Sequence, residues 1–319
     1  LDGVAVTAAT GLFGEGLAPE LVAHGDSRIY RVHREADFVL RLHVPLEVAV
    51  DEPPRQASFL ESECLWLAAL TADTDLVVPR PVIAGTDGQF VGHAQSDGGE
   101  QIAFTVLEWI EGEPIGGPLD EAFAYRLGEQ IATLHGHGHS WTRPPGFEVP
   151  VHDRRAWPKL HERFESLVEA GTLAAEDVER LRRFTDRVEE QPLASAADAI
   201  GLIHGDLHDG NLLPTDSGIA ILDFGRIGVG PWLYDLAQGL QMFGPAVRRS
   251  CVDAYAQTFP VDADDVRVLE EHFVGALVET LAHHAPNPDE HEYLRRALPI
   301  AREFADLYLD DRPFLFGKE

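Results

Sequence analysis

One short segment narrows the choice of fold more than the rest of the chain does. It is His204-Gly205-Asp206-Leu207-His208-Asp209-Gly210-Asn211, followed by the apolar run Ile219-Ala220-Ile221-Leu222 and then Asp223-Phe224-Gly225. Between Asn211 and Asp223 stand Leu212-Leu213, the turn formers Pro214-Thr215-Asp216-Ser217-Gly218 and the apolar run, a pattern for two strands joined by a hairpin. A hairpin turns the chain back, so the reading brings Asn211 and Asp223 to one end of it. The residue types suit one chemistry. An Asp with an Asn five residues on and a second Asp beyond is the set in which one carboxylate takes the proton of an attacking hydroxyl, while carboxamide and carboxylate oxygens hold Mg²⁺ against phosphates. Turns by themselves also favour His, Asp and Asn, because short polar side chains bond to nearby backbone. That explains single residues but not their spacing.

With 319 residues, 45% of them hydrophobic, the chain can bury a large core, and its length suggests about two domains. No run of eighteen apolar residues occurs, and Leu1-Asp2-Gly3-Val4 opens neither a basic nor a long apolar segment, so membrane spanning and secretion lack support. The absence of an initiator Met points to a trimmed start. Cys64 and Cys251 lie far apart and have no spacing for a disulfide framework or a zinc site, which suggests a reducing cytoplasm. The net charge of −29 argues against nucleic acid as a partner, because such binders concentrate Lys and Arg to release counterions. Any polyphosphate must therefore be held by local chemistry. Lys159 and Lys318 are the only lysines, and the acids are spread along nearly every segment, as on a strongly hydrated surface. We expect salt adaptation rather than a pocket for a cationic substrate, which needs a few convergent carboxylates; a melting curve indifferent to KCl would refute this.

The chain resembles the aminoglycoside phosphotransferase and choline kinase superfamily, relatives of the protein kinases. Its loop reads His204-Gly205-Asp206 where protein kinases have His-Arg-Asp, and stretches 30–42, 61–82 and 106–114 are similar to the family's first lobe and hinge. Within the superfamily, Glu61-Ser62-Glu63-Cys64-Leu65-Trp66-Leu67-Ala68-Ala69-Leu70 with Val78-Pro79-Arg80-Pro81 is most similar to the branch of bacterial stress-response kinases and homoserine-kinase-like proteins. The resemblance implies an α+β, two-lobed protein-kinase-like fold, with a small antiparallel-sheet N-lobe carrying one main helix and a mostly helical C-lobe. Its expected bounds are an ATP-binding lobe over 1–108, a hinge over 109–114, and a lobe over 115–319 with the catalytic loop and acceptor site.

Residues 21–42 read as strand, turn, strand, turn, strand, with His24-Gly25-Asp26-Ser27 as the first turn and Arg34-Glu35-Ala36-Asp37 as the second. This hairpin lacks Gly-x-Gly-x-x-Gly, so phosphate contacts fall to the amides of Gly25, Asp26 and Ser27 and to the Ser27 hydroxyl. Arg41, in Phe38-Val39-Leu40-Arg41-Leu42, sits where protein kinases carry Val-Ala-Ile-Lys and would grip the α- and β-phosphates. On a helix over about 56–70, Glu63 shares a stripe with Leu60, Leu67 and Leu70. It either pairs with Arg41, as in kinases, with Glu61 on the far side of the helix as the fallback partner, or reaches to solvent. The Glu108 carbonyl and Ile110 amide would hold adenine, with Trp109 packing at the mouth.

Phe123, Leu127, Ile131 and Leu134 mark a further helix that ends at His135-Gly136-His137-Gly138-His139, read as a solvated turn rather than a metal site. In the family an Asp at the position of Asp235 is structural, accepting catalytic-loop amides and fixing His204 and Asp206; an ordinary acid at a helix N-terminus is the other reading. Taken together, we expect transfer of the γ-phosphoryl group of ATP, with Mg²⁺, to a hydroxyl of a small molecule, with a protein Ser/Thr kinase of the bacterial stress-response type as the alternative. Asp206 would be the base, Asn211 and Asp223 the metal ligands, and Arg41, Glu63, Ser27, Glu108 and Ile110 the nucleotide contacts. His204 would buttress the loop. His208 and Arg226 would face the acceptor without a catalytic role. The rival is a nucleotide-binding pseudokinase without turnover, for which Arg41 speaks. All three catalytic-loop groups speak against it.

Overall fold

A computed structural model describes residues 1–24, 27–44, 56–190 and 200–316. Gly25 and Asp26, expected at phosphate, lie outside the described residues. The chain forms two compact units: Leu1–Pro114 with Trp141–Val149 and Leu212–Gly225, and Ile115–Ser140 with Pro150–Asn211 and Arg226–Glu319. Small antiparallel sheet and helical remainder are both present, as the α+β reading expects. No helix among the described residues is long and apolar enough to cross a membrane.

The first unit is built on antiparallel strands β1 (Glu20–His24), β2 (Arg28–Val32), β3 (Phe38–His43), β4 (Pro81–Val82), β5 (Gly92–Gln95) and β6 (Gln101–Glu108). Their order is β1-β2-β3-β6-β4, with β5 also on β6. Register assigns the faces. Leu40 opposes Val106 and Leu42 opposes Phe104, so these turn one way, while Arg41 and its partner Thr105 turn the other. The apolar face is covered by helix α1 (Asp2–Phe13), whose Val4, Ala5, Ala8 and Ala9 join Tyr30, Val32, Leu40, Leu42, Phe104 and Val106 in one core. Helix α2 (Ala57–Asp73) buries Leu60, Glu63, Cys64, Trp66, Leu67 and Leu70.

The hairpin expected after Asn211 is present as β8 (Leu212–Thr215) and β9 (Gly218–Ile221), with Leu212 opposite Ile221. It belongs to the first unit, where the Ile221 amide donates to the Val77 carbonyl at 2.9 Å and the Glu113 amide to that of Pro214 at 3.2 Å. Gly112 permits this approach, since a Cβ there would stand 2.5 Å from the Pro214 oxygen.

The second unit holds helices α3 (Glu121–Ser140), α4 (Glu162–Glu169) and α5 (Ala175–Glu190), then strand β7 (Ile200–Ile203), which pairs with β10 (Gly228–Pro231). Helices α6 (Trp232–Leu240), α7 (Pro245–Tyr255), α8 (Ala263–His284) and α9 (His291–Leu309) follow. Every residue of α6 is buried, so this central helix is a rigid base for whatever its side chains hold. Helix α3 does not end at His135. It runs on to Ser140, and His135 and His137 are buried, which corrects the expectation of a solvated turn. Packing of α3 on α7 outweighs the poor helix propensity of Gly136 and Gly138.

Candidate active site

In the second unit, β7 delivers the chain into a loop whose backbone is tied down almost residue by residue. The Asp235 carboxylate accepts from the His204 amide at 2.6 Å and the Gly205 amide at 2.7 Å. Asp235 is therefore a loop anchor and not an idle acid at a helix end. Gln238, one turn on, accepts from the Leu207 amide at 3.2 Å and donates to the Gly205 carbonyl at 3.3 Å. Gly205 itself has φ +77°, and a Cβ there would meet the Arg226 carbonyl oxygen at 2.4 Å. The position requires glycine twice over, which explains His-Gly-Asp here. The ring of His204 is buried, and its Nδ1 accepts from the Asp206 amide at 3.2 Å.

Asn211 completes the loop. Its Nδ2 donates to the Asp206 carbonyl at 2.9 Å and to Asp206 Oδ2 at 3.0 Å. With the nitrogen held there, the carboxamide oxygen is the group left for a cation, and among the described residues it has no hydrogen-bond partner. The Asp206 side chain keeps 29% of its surface, so the carboxylate remains reachable. His208 is exposed, with Nε2 at 3.7 Å from Asp206 Oδ2. Arg226 stands 3.8 Å from Glu279. Glu279 also accepts from Tyr234 Oη and Trp157 Nε1. Burial raises the Tyr234 pKa, with further contributions from Glu279 and Asp206. Burial lowers that of His284, which also feels the charges of His208 and Asp206. Glu279 and His284 on α8 are thus neighbours of the loop that no spacing in the sequence announced.

In the first unit, Arg41 and Glu63 are both buried and pair at 2.7 Å through Nη1 and Oε1. Glu63 does not reach to solvent. Burial works against the Arg41 charge, but Glu63 outweighs it, with smaller help from Cys64 and Asp223, leaving the guanidinium above its usual pKa. Arg41 Nε donates to the Thr105 hydroxyl at 3.2 Å, which meets His43 at 2.9 Å, and His43 meets Ser27 at 3.1 Å. Arg41 Nη2 and Glu63 Oε2 have no partner among the described residues although both are buried. Such orphans are rare and call for an explanation. Glu61 is not Arg41's partner, since its carboxylate accepts the Phe90 and Val91 amides at 3.0 Å.

Asp223 follows the hairpin with φ +52°, a strained conformation for a non-glycine residue. It is exposed, and Oδ1 accepts from the Gly225 amide at 3.2 Å. Toward the end of this unit, the Glu108 amide donates to the Arg80 carbonyl at 2.8 Å and that of Trp109 to Asp37 at 3.0 Å. The Trp109 ring lies under Arg31 at 4.2 Å. The Ile110 amide has no backbone partner among the described residues. The structure thus assembles Ser27, His43, Thr105, Arg41 and Glu63 in one unit, with Asp223 felt at Arg41, and His204, Asp206, Asn211 and Asp235 in the other. No three His, Cys, Asp or Glu side chains among the described residues are placed to hold a metal, His135 to His139 included.

The model of the phosphotransferase enzyme family (APH) matches residues 20–272. Among solved structures the chain is similar to a microcompartment-associated aminopropanol kinase, at 24% identity and a TM-score of 0.77, over 97% of this chain and 98% of that one. It is also similar to an amicoumacin kinase in complex with AMP-PNP and Ca²⁺, at 16% and 0.68 over 94% and 90%. A choline kinase from Cryptosporidium parvum matches at 12% and 0.66 over 92% and 90%. At such identities the likeness is one of fold. No curated protein sequence matches. The family match over most of the chain, on a fold carrying this loop, settles its membership: the chain belongs to the phosphotransferase enzyme family and transfers a phosphoryl group to a hydroxyl.

Proposed function

We propose that the donor is Mg·ATP and the acceptor a hydroxyl of a small molecule. The observation that carries this reading is the bracing of Asp206 by Asn211, which leaves a reachable carboxylate beside an unengaged carboxamide oxygen. A nucleotide with its metal suits the residues present. The orphaned Arg41 Nη2 is a buried donor suited to a phosphate oxygen, and Asn211 and Asp223 offer the hard oxygens that Mg²⁺ prefers. When bound, Mg²⁺ would neutralise the charge that gathers on the phosphates.

Asp206 takes the proton of the acceptor hydroxyl as its oxygen forms the bond to the γ-phosphorus. The bond from that phosphorus to the β–γ bridging oxygen breaks, and ADP leaves with the electron pair. Arg41, oriented by Glu63, holds phosphate, and the Ser27 hydroxyl adds a contact. The Glu108 carbonyl and the unpaired Ile110 amide hold adenine. In this reading 1–108 bind the nucleotide, 109–114 connect, and 115–319 bring the base and the acceptor site, in a cytoplasmic enzyme. The AMP-PNP of the amicoumacin kinase and the amino alcohol named for the aminopropanol kinase support a triphosphate donor and a small acceptor.

The test is incubation with γ-labelled ATP and Mg²⁺ against 1-amino-2-propanol, choline, an aminoglycoside and a generic protein substrate. Label on a small molecule, dependent on Mg²⁺, is the expected result. Label on the protein alone would make this a Ser/Thr kinase of the stress-response type. Mg-dependent ATP binding without transfer would make it a regulator.

A further inference from the structure

The face of the sheet that carries Arg41 carries a second polar residue two positions on. Alternation along β3 sends Leu40 and Leu42 into the core with α1, so Arg41 and His43 share the opposite face, where Thr105 stands across from Arg41. Ser27 lies one residue before β2, just beyond the Arg28–Leu42 pair, which sets it against His43. The contacts follow this register. Arg41 Nε meets Thr105 Oγ1 at 3.2 Å, Thr105 Oγ1 meets His43 Nε2 at 2.9 Å, and His43 Nδ1 meets Ser27 Oγ at 3.1 Å. We infer that His43 is a positioning residue for the nucleotide: it accepts at Nε2, donates at Nδ1, and leaves the hydrogen of the Ser27 hydroxyl for a phosphate oxygen.

The hydrogens follow from the guanidinium outward. Arg41 can only donate, so Thr105 Oγ1 accepts from its Nε. Thr105 is fully buried, and among the described residues the acceptor within reach of its own hydroxyl hydrogen is His43 Nε2. Any other arrangement strands that hydrogen in the interior as an unmatched donor, which is costly. With Nε2 accepting, the neutral ring carries its hydrogen on Nδ1 and gives it to Ser27 Oγ. The Ser27 hydrogen is therefore not spent on the ring. Every bond in the row runs the same way from a charged donor, and bonds arranged so polarise one another, which makes Ser27 a stronger donor than an isolated serine. The network has a second unspent donor in Arg41 Nη2, buried and without a partner among the described residues. Both ends of the row thus offer hydrogen, which suits an anionic group such as phosphate.

This inference rests on the reading in which Ser27 and Arg41 meet the nucleotide, and the experiment separates the two. Calorimetric affinities for Mg·AMP-PNP and for adenosine, which has no phosphate, are compared in wild type, Ser27→Ala, His43→Leu, His43→Asn, His43→Gln and the double variant combining the first two. Asparagine can present an N–H where Nδ1 stood, whereas glutamine presents its amide in the place of Nε2. We expect Ser27→Ala and His43→Leu each to weaken Mg·AMP-PNP by roughly tenfold, the scale of one hydrogen bond to a charged group, with adenosine unchanged. His43→Asn should recover most of that loss and His43→Gln none of it, and the double variant should bind no more weakly than Ser27→Ala alone. Additive losses, equal weakening of adenosine, or recovery in Gln as good as in Asn overturns the inference. Loss in Ser27→Ala with wild-type affinity in His43→Leu also overturns it, while the phosphate contact stands. If Ser27→Ala binds Mg·AMP-PNP like wild type, the phosphate contact itself has failed and the inference with it. One readout needs neither variant nor nucleotide. ¹⁵N NMR of the neutral His43 ring should show hydrogen on Nδ1 and none on Nε2, and the opposite tautomer contradicts the inference.

Discussion

Two buried ionic clusters, one in each unit, differ in how completely they are satisfied. Around Asp235 the carboxylate itself is fully engaged: two backbone amides and His135 converge on it, and Tyr255 closes the far side of the ring, although Trp232 Nε1 on the ring stacked against His135 has no partner among the described residues. Around Arg41 the pairing with Glu63 is short, but Arg41 Nη2 and Glu63 Oε2 remain without partners. A buried polar atom left unmatched is costly and calls for an explanation, of which a ligand or ion that completes it is one. In the proposed reading the saturated cluster is scaffold, and the unsaturated one meets the phosphates. In that reading the contrast separates residues that position from residues that touch, although all of them are buried.

Variants sharpen the contrast by their readouts. The largest effect is expected for Asp223→Ala, which should lower turnover by roughly 10³-fold, since phosphoryl transfer depends on charge neutralisation at the phosphates. Wild-type turnover in that variant, measured by labelled transfer, removes Asp223 from the site. Asp206→Asn should lose roughly 10²-fold in kcat while Mg·ATP affinity by calorimetry stays close to wild type. Arg41→Gln should weaken ATP by roughly tenfold, read as a smaller ATP-induced rise in melting temperature, because a phosphate contact goes and Glu63 is left buried and unpaired. If the rise is unchanged, the orphaned Nη2 does not meet phosphate.

The smallest effect is one of pH. The folded pKa of Asp235 lies below its unfolded value near 3.8, so its contribution to stability is complete above that value and is lost as pH falls through the lower folded one. Asp235→Asn should therefore destabilise the protein more at neutral pH than in acid. Equal destabilisation at both, in denaturant titrations, would mean the carboxylate's charge is not what holds the loop.

The sequence made some of this legible because local patterns carried it. The β8–β9 hairpin showed itself through turn formers between apolar runs, and the Arg41–Glu63 pair through a carboxylate on an apolar helical stripe. Helix α1 left no such trace, because its small residues give no clear stripe and only the apolar face of the sheet defines what it buries. His135 was misread for a related reason. Two glycines argued for a helix end, and the deciding influence, packing against α7, comes from residues more than a hundred positions away. Glu279 and His284 stand near the loop that carries Asp206 because α8 packs against α6, a tertiary fact that no spacing encodes.

The most direct trial of the central claim is a crystal structure with AMP-PNP and Mn²⁺ in place of Mg²⁺, read by anomalous scattering. The account predicts manganese peaks ligated by the Asn211 carboxamide oxygen and the Asp223 carboxylate, with Arg41 Nη2 on a phosphate oxygen. Manganese held elsewhere, or Asn211 and Asp223 bound to no metal beside an ordered nucleotide, would contradict it.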